Sequence, residues 1–111
     1  MNQIVQNYVL PDGNEPIVEW LAALQDIKGR AKIRARINQI RAGNPGKFNT
    51  VAPGIMEMKI DFGPGYRVYY ARVGKRVILL LCGGDKQTQR ADIKKATEFL
   101  SDYKRRMQEH D

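Results

Sequence analysis

The strongest constraint on the fold is an alternating run between residues 56 and 82 that reads as three strands joined by tight turns. In the first of these strands, apolar residues alternate with charged ones, which predicts one buried and one solvated face. Gly63-Pro64-Gly65 and Gly74-Lys75 supply the reversals between strands. The stretch from Val77 to Cys82 is apolar on both faces. We therefore expect an antiparallel sheet in which this last strand is central.

Patterns outside this run predict an edge strand, a helical hairpin, a loop and a last helix. The edge strand is expected within residues 2–10. The first helix of the hairpin is expected to start at residue 14 or 15 and the second to span residues 30–41, followed by the loop at residues 47–54 and the last helix at residues 89–107. Gly29 marks the break between the first two helices, Thr88 is the N-cap of the last, and Phe48 and Val51 anchor the loop. The order β-α-α-β-β-β-α predicts a single α+β domain over residues 1–111, with the helices on one face of a mostly antiparallel sheet.

The distribution of charge favours an anionic partner. The chain carries 19 Lys and Arg against 12 Asp and Glu, a formal net charge of +7. Residues 27–56 contain no acidic residue and seven basic ones, which are Lys28, Arg30, Lys32, Arg34, Arg36, Arg41 and Lys47. A second basic cluster spans residues 104–106. Such a field attracts nucleic acid, anionic membranes or acidic protein segments, although a basic helix face can also be merely solvated. Arg34, Arg41 and Arg72 are candidate contacts to RNA.

Several function classes lack the residues they need. Cys82 is the single cysteine, so neither an internal disulfide nor a zinc site of paired cysteines can form. It reads as a small buried apolar residue, with a reactive thiol as the alternative, in a reducing, cytoplasmic compartment. His110 is the only histidine and lies one residue from the end, which argues against Ser-His-Asp, Cys-His and two-histidine catalysis. No apolar run reaches ~18 residues, no signal peptide is visible in residues 1–10, and no cofactor or metal is expected.

One cationic site remains as a candidate for chemistry. Lys59 and Arg67 lie on neighbouring predicted strands, and Lys86 follows the third. If the exposed faces of the strands coincide, these cations meet at one phosphate, where arginine stabilises developing charge through paired hydrogen bonds. RNA brings its own nucleophile, the 2′-hydroxyl, so the chemistry requires no metal. Tyr69, on the face of Arg67, is a candidate for stacking a base. The alternative for each residue is an ordinary surface charge or a half-buried aromatic ring.

The residues around this site resemble a known family. Gly65-Tyr66-Arg67-Val68-Tyr69-Tyr70 is the centre of a run from residue 58 to residue 96 that resembles the RelE/ParE superfamily of type II toxin–antitoxin toxins. The similarity is greatest to its HigB-like branch of addiction-module killer or phage Gp49-like proteins. The resemblance implies a RelE-like fold and a cytoplasmic mRNA interferase, which cuts mRNA in the ribosomal A site. It also implies a cognate helix-turn-helix antitoxin and repression of the operon when the toxin–antitoxin complex binds operator DNA.

The same resemblance implies roles for individual residues. Arg67 matches the arginine that supports the scissile phosphate, Lys59 a basic residue of the preceding strand, and Lys86 the basic residue that assists the leaving group. The chain departs from the family at the start of the last helix, where many members carry tyrosine or histidine; Asp92 is the candidate acid–base group there. Glu57, which the alternation predicts to be a surface partner of Lys59, stands where RelE has a second lysine.

Two other functions stay open at the level of sequence. ParE members share the expected fold, lack the ribonuclease residues and inhibit DNA gyrase instead. A basic nucleic-acid-binding module without toxicity would also fit the charge distribution.

Overall fold

The computed structural model describes residues 2–109, which form three helices and five strands. In chain order these are β1 Ile4–Asn7, α1 Pro16–Ala23, α2 Ile27–Arg41, β2 Asn49–Ala52, β3 Ile55–Ile60, β4 Tyr66–Arg72, β5 Val77–Gly84 and α3 Gln89–Glu109. His110 lies outside the described residues. None of these three helices is long and apolar enough to cross a membrane.

The strands form one mixed sheet in the order β1-β5-β4-β3-β2. β1 runs parallel to β5, and the other neighbouring pairs are antiparallel. The predicted α+β class and the mostly antiparallel sheet are confirmed, and β5 lies inside the sheet as its two apolar faces predict. Gly63 and Gly65 adopt φ values of 57° and 79° between β3 and β4, a region that favours glycine. The tight turn they form sets the register of these two strands.

The predictions for residues 49–52 and for the helical cover of the sheet are wrong. Residues 49–52, expected to be loop, form the edge strand β2, in which Asn49 pairs with Glu57 and an irregularity follows Thr50. The helices cover both faces of the sheet instead of one, with α1 and α2 on one face and α3 on the other. Asn49 and Thr50 are exposed and polar, so β2 has no apolar alternation by which sequence could reveal it.

The break between the first two helices lies before Gly29, not at it. α2 begins at Ile27 because Asp26 caps it, with Asp26 Oδ1 accepting a hydrogen bond from the backbone N–H of Gly29 at 2.9 Å. Asp26 Oδ2 accepts a second bond from the Tyr66 hydroxyl at 2.8 Å, and these two bonds lower the pKa of Asp26. A Cβ on Gly29 would lie 2.6 Å from both Asp26 Oδ2 and the Tyr66 ring. Glycine at this position therefore lets the cap pack against β4.

Two apolar layers fill the space between the helices and the sheet. Val68 and Tyr70 of β4 belong to the layer under α1 and α2, whereas Tyr69 and Ala71 belong to the layer under α3. Because both faces of β4 and β5 are covered, these strands are buried along most of their length. Cys82 is buried under α3, as predicted, and burial raises the pKa of its thiol to about 12. The thiol is therefore protonated and unreactive at neutral pH.

The Tyr8 side chain fastens α3 to the segment after β1. Its hydroxyl donates a 2.5 Å hydrogen bond to Asp102 Oδ2, which also lies 2.7 Å from Arg106 Nη2. The Tyr8 ring stacks on Phe99 with ring centroids 4.7 Å apart. The hydrogen bond from Tyr8 is the main cause that lowers the pKa of Asp102, while burial, followed by Asp102, raises the pKa of Tyr8 to about 12.

Tyr8→Phe is expected to lower the free energy of unfolding at pH 7 by about 1.5 kcal/mol, the low end for a hydrogen bond to a charged group, since Asp102 is partly exposed. The folded-state pKa of Asp102 is depressed, so this stabilisation is present above the unfolded-state pKa of about 3.9 and is lost as the pH falls through the folded-state value. Urea unfolding at about pH 7 and about pH 2 measures the effect. Tyr103→Phe is the control, because the Tyr103 hydroxyl bonds no other residue in the described chain. An equal Tyr8→Phe effect at both pH values would contradict the prediction.

Candidate functional site

Lys59 and Arg67 lie directly opposite each other in the sheet. The register of β3 and β4 pairs Lys59 with Arg67, and β5 extends this row with Gly84 opposite Arg67. Paired residues of antiparallel strands project their side chains to the same face, with Cβ atoms about 5 Å apart. The two cations therefore share the face of the sheet that α3 covers. Lys59 is exposed, whereas Arg67 is only 6% exposed.

The Arg67 guanidinium is held by a carbonyl and a buried carboxylate. Its Nη1 donates to the Gly65 carbonyl at 2.8 Å, and its Nε lies 3.5 Å from Glu57 Oε2, an ion pair without a close hydrogen bond. Glu57 Oε2 accepts a 2.7 Å hydrogen bond from Gln89 Nε2 at the start of α3. Glu57 is 1% exposed, so its predicted role as a surface partner of Lys59 is wrong. The carboxylate instead orients Arg67, whose Nη2 bonds no other described residue.

Lys86 lies near Arg67, in the segment that leaves β5. A Cβ added to Gly65 would lie 3.4 Å from Arg67 Nη1 and 3.8 Å from the Cβ of Lys86. The two basic residues therefore both approach one glycine of the β3–β4 turn. Lys86 is exposed. The structure thus brings Lys59, Arg67 and Lys86 to one end of the sheet.

Asp92 lies next to this row but is enclosed. Its carboxylate accepts a 2.5 Å hydrogen bond from the Thr88 hydroxyl, and only 7% of the residue is exposed. A Cβ on Gly84 would stand 1.8 Å from Asp92 Oδ2 and 2.7 Å from Thr88 Oγ1. The absence of a side chain at Gly84 therefore lets the first turn of α3 rest on β5. In this arrangement Asp92 positions α3, and its acid–base role stays a prediction.

Tyr69 presents no ring face to a base, so its predicted stacking role is wrong. Its side chain is fully buried in the layer under α3. Burial, followed by the nearby Glu57 carboxylate, raises the pKa of Tyr69. The Tyr69 hydroxyl lies near Glu57 but forms no hydrogen bond with any described residue. Tyr69 forms part of the floor beneath Arg67.

The other basic candidates lie away from the Lys59–Arg67 row. Arg34 and Arg41 of α2 line a groove of about 290 Å³ between α1 and α2, on the opposite face of the sheet from α3. Arg72 ends β4, five residues beyond Arg67 and hence about 17 Å along the strand. Arg34, Arg41 and Arg72 therefore occupy separate surfaces, and their contact with RNA stays a prediction.

Comparison with known sequences places the chain in a family. The model of the family described as "Phage derived protein Gp49-like" matches residues 19–103, most of the chain. The chain belongs to the Gp49-like family. A relative of this Gp49-like protein is an uncharacterised protein of Haemophilus influenzae, 48% identical over 77 residues that cover 69% of this chain and 78% of the relative.

Gp49-like proteins are toxins of the RelE and addiction-module killer type, so the resemblance seen in the sequence is confirmed. Membership indicates a toxin–antitoxin pair, in which an antitoxin is the partner. The matched span contains Lys59, Arg67 and Lys86, the three cations that the sheet brings together.

Sequence reasoning missed three residues of this Gp49-like protein that lie beside Lys59. Arg36, Lys47 and Phe48 line a concavity of about 370 Å³ together with Lys59. Phe48, expected to anchor a loop, is 46% exposed instead. The run of basic residues in α2 contains Arg36, but its spacing alone does not say which face lies beside the end of β3.

Proposed function

We propose that this Gp49-like protein is the toxin of a type II toxin–antitoxin module and cuts mRNA on the ribosome as a metal-independent endoribonuclease of the HigB type. The observation that carries the proposal is the cross-strand pairing of Lys59 with Arg67, with Lys86 close to the same turn at Gly65. Three cations lie at one end of the sheet, and a buried carboxylate orients one of them. Such a group can stabilise the negative charge that develops on a phosphate in the transition state of cleavage.

In the proposed reaction the 2′-oxygen of one nucleotide attacks the adjacent phosphorus and its proton passes to solvent. The bond to the 5′-oxygen breaks, which leaves a 2′,3′-cyclic phosphate and a 5′-hydroxyl. Arg67 and Lys59 stabilise the charge that builds on the non-bridging phosphate oxygens. Lys86 donates the proton that the 5′-oxygen takes up on leaving. Asp92, buried and bonded by Thr88, keeps the start of α3 over the site.

The proposal includes the place and the partners of the protein. The toxin acts in the cytoplasm, where ribosomes and mRNA are found. A helix-turn-helix antitoxin neutralises it, and the complex of the two binds operator DNA and represses their operon. The net charge of +7 supports an approach to ribosomal and messenger RNA by electrostatic attraction.

Induction of this chain in bacteria without an antitoxin is expected to stop growth and to create new mRNA ends that carry a 5′-hydroxyl. Sequencing of 5′-hydroxyl ends measures the cleavage. The double variant Lys59→Ala, Lys86→Ala is expected to grow normally with intact mRNA. Lys75→Ala, Lys104→Ala is the charge-matched control, since both of its exposed lysines lie at the other end of the molecule.

Other outcomes of the same experiment would replace the proposal. Growth arrest with intact mRNA and a DNA-damage response would identify a gyrase inhibitor of the ParE kind. Normal growth on strong induction, together with salt-sensitive binding of RNA, would identify a nucleic-acid-binding module without toxicity. Undiminished cleavage in a folded Lys59→Ala, Lys86→Ala protein would reject the site.

A further inference from the structure

A basic concavity with an exposed aromatic ring adjoins the proposed cleavage site. It lies at the edge of the sheet, where β3 runs on past the end of β2, and has a volume of about 370 Å³. Arg36, Lys47, Phe48 and Asn49 line it together with Lys59, which lies opposite Arg67 in the sheet. Two carboxylates, those of Glu57 and Asp61, complete the lining. The concavity and the row therefore share Lys59.

The cations of this concavity have no acidic partner in the described chain. Arg36 Nη1 donates to Gln39 Oε1 and Arg36 Nη2 to the carbonyl of Lys47, each at 3.0 Å, so a neutral group holds each end of the guanidinium. No carboxylate among residues 2–109 forms an ion pair with Arg36, Lys47 or Lys59. Of the two carboxylates in the lining, Glu57 pairs with Arg67, and Asp61 forms no ion pair within the described chain. Three cations against the single carboxylate of Asp61, with Glu57 offset by Arg67, leave the concavity a net positive charge that favours an anion.

Phe48 places an apolar ring within this positive surface. The side chain is 46% exposed, although its edge contact with Tyr70, at 6.4 Å between ring centroids, fixes one side of the ring. The exposed part of the ring buries no apolar area in the fold and is therefore free to contact a ligand. Aromatic rings set among cations are the usual platform for single-stranded RNA, because a base stacks on the ring while the cations take the phosphates.

We propose that this concavity binds one nucleotide of single-stranded RNA next to the phosphate that is cut. The base stacks on Phe48, and Arg36 and Lys47 contact the phosphate of that nucleotide. The proposal rests on the proposed function for the identity of the ligand as the mRNA substrate. It assigns to Phe48 the stacking that Tyr69, being buried, does not perform.

Binding is tested with a fluorescein-labelled single-stranded RNA whose riboses are 2′-O-methylated, so that no cleavage is involved. Phe48→Ala is expected to weaken binding by roughly 5- to 150-fold and Phe48→Trp to restore it, as for the loss and return of one stacked base. Arg36→Gln is expected to reduce the slope of log K against log salt by about 0.7, one phosphate contact to a single strand. Met107→Ala, at another exposed apolar residue, and Lys104→Gln are the controls and should change affinity less than about twofold.

The site is located independently with the same RNA carrying 5-iodouridine, which cross-links on irradiation to a stacked aromatic ring. Mass spectrometry is expected to find the adduct on Phe48. Adducts confined to other residues, or Phe48→Ala binding within about twofold of wild type, would overturn the proposal, as would a wild-type chain that does not bind the RNA. Because binding and cross-linking do not involve cleavage, a chain that binds through Phe48 yet leaves mRNA intact would refute the proposed function alone.

Discussion

Arg67→Ala is expected to reduce mRNA cleavage by about 100-fold or more, the usual loss when one preorganised donor to developing charge is removed. Arg67 lies opposite Lys59 in the sheet, and its Nη2 bonds no other described residue. A guanidinium offers two parallel hydrogen bonds to phosphate oxygens, which a smaller side chain cannot replace. Growth after induction and the number of 5′-hydroxyl mRNA ends measure the loss.

The alanine variant needs a companion that separates chemistry from folding, because Arg67 also neutralises the buried Glu57. Arg67→Lys keeps a positive charge near this carboxylate but lacks the planar fork. We expect this variant to fold and its rate of mRNA cleavage to fall by about tenfold or more. Circular dichroism and thermal unfolding establish that each variant is folded. Folded Arg67→Ala and Arg67→Lys proteins with full cleavage would show that Arg67 does not act on the phosphate.

The class of the fold could be predicted because it depends on local patterns. Alternation in β3 and the glycine turn before β4 specify an antiparallel pair, and the apolar stretch from Val77 to Cys82 specifies an inner strand. The same stretch also indicates that helices cover both faces of the sheet, which the prediction of one covered face overlooked. A strand apolar on both faces needs cover on both, which requires helices on both sides of the sheet. β2 was missed for another reason, since a short polar edge strand is defined by its partner β3 and not by its own sequence.

In the candidate site, too, the features set by local sequence could be predicted and those set by tertiary packing could not. The pairing of Lys59 with Arg67 depends on one tight turn, so sequence could place these two residues together. The partners of Arg67 depend on where α3 packs, which no local pattern states. Gln89 reaches Glu57 across 32 positions of the chain, and α3 buries Tyr69. The exposure of Phe48 likewise depends on the path of the chain between α2 and β2, a tertiary property.

Glu57→Ala is expected to lower the free energy of unfolding by about 3–5 kcal/mol, the cost of leaving one charge of a buried pair alone. The side chains of Arg67 and Glu57 are 7% and 1% exposed. The substitution removes the ion-pair partner of Arg67, which then keeps its hydrogen bond to the Gly65 carbonyl, and it removes the acceptor that holds Gln89. Urea unfolding followed by circular dichroism measures the change.

A double variant distinguishes the unpaired charge from simple loss of packing. Glu57→Leu, Arg67→Met is expected to regain stability to within about 1 kcal/mol of wild type while staying inactive, because removing both charges also removes their desolvation cost. Asp61→Ala, at an exposed carboxylate just after β3, is the control and should change stability by less than about 0.5 kcal/mol. If Glu57→Ala unfolds at the same urea concentration as Asp61→Ala, the ion pair does not stabilise the fold. If the double variant is no more stable than Glu57→Ala, lost packing and not the stranded guanidinium accounts for the destabilisation.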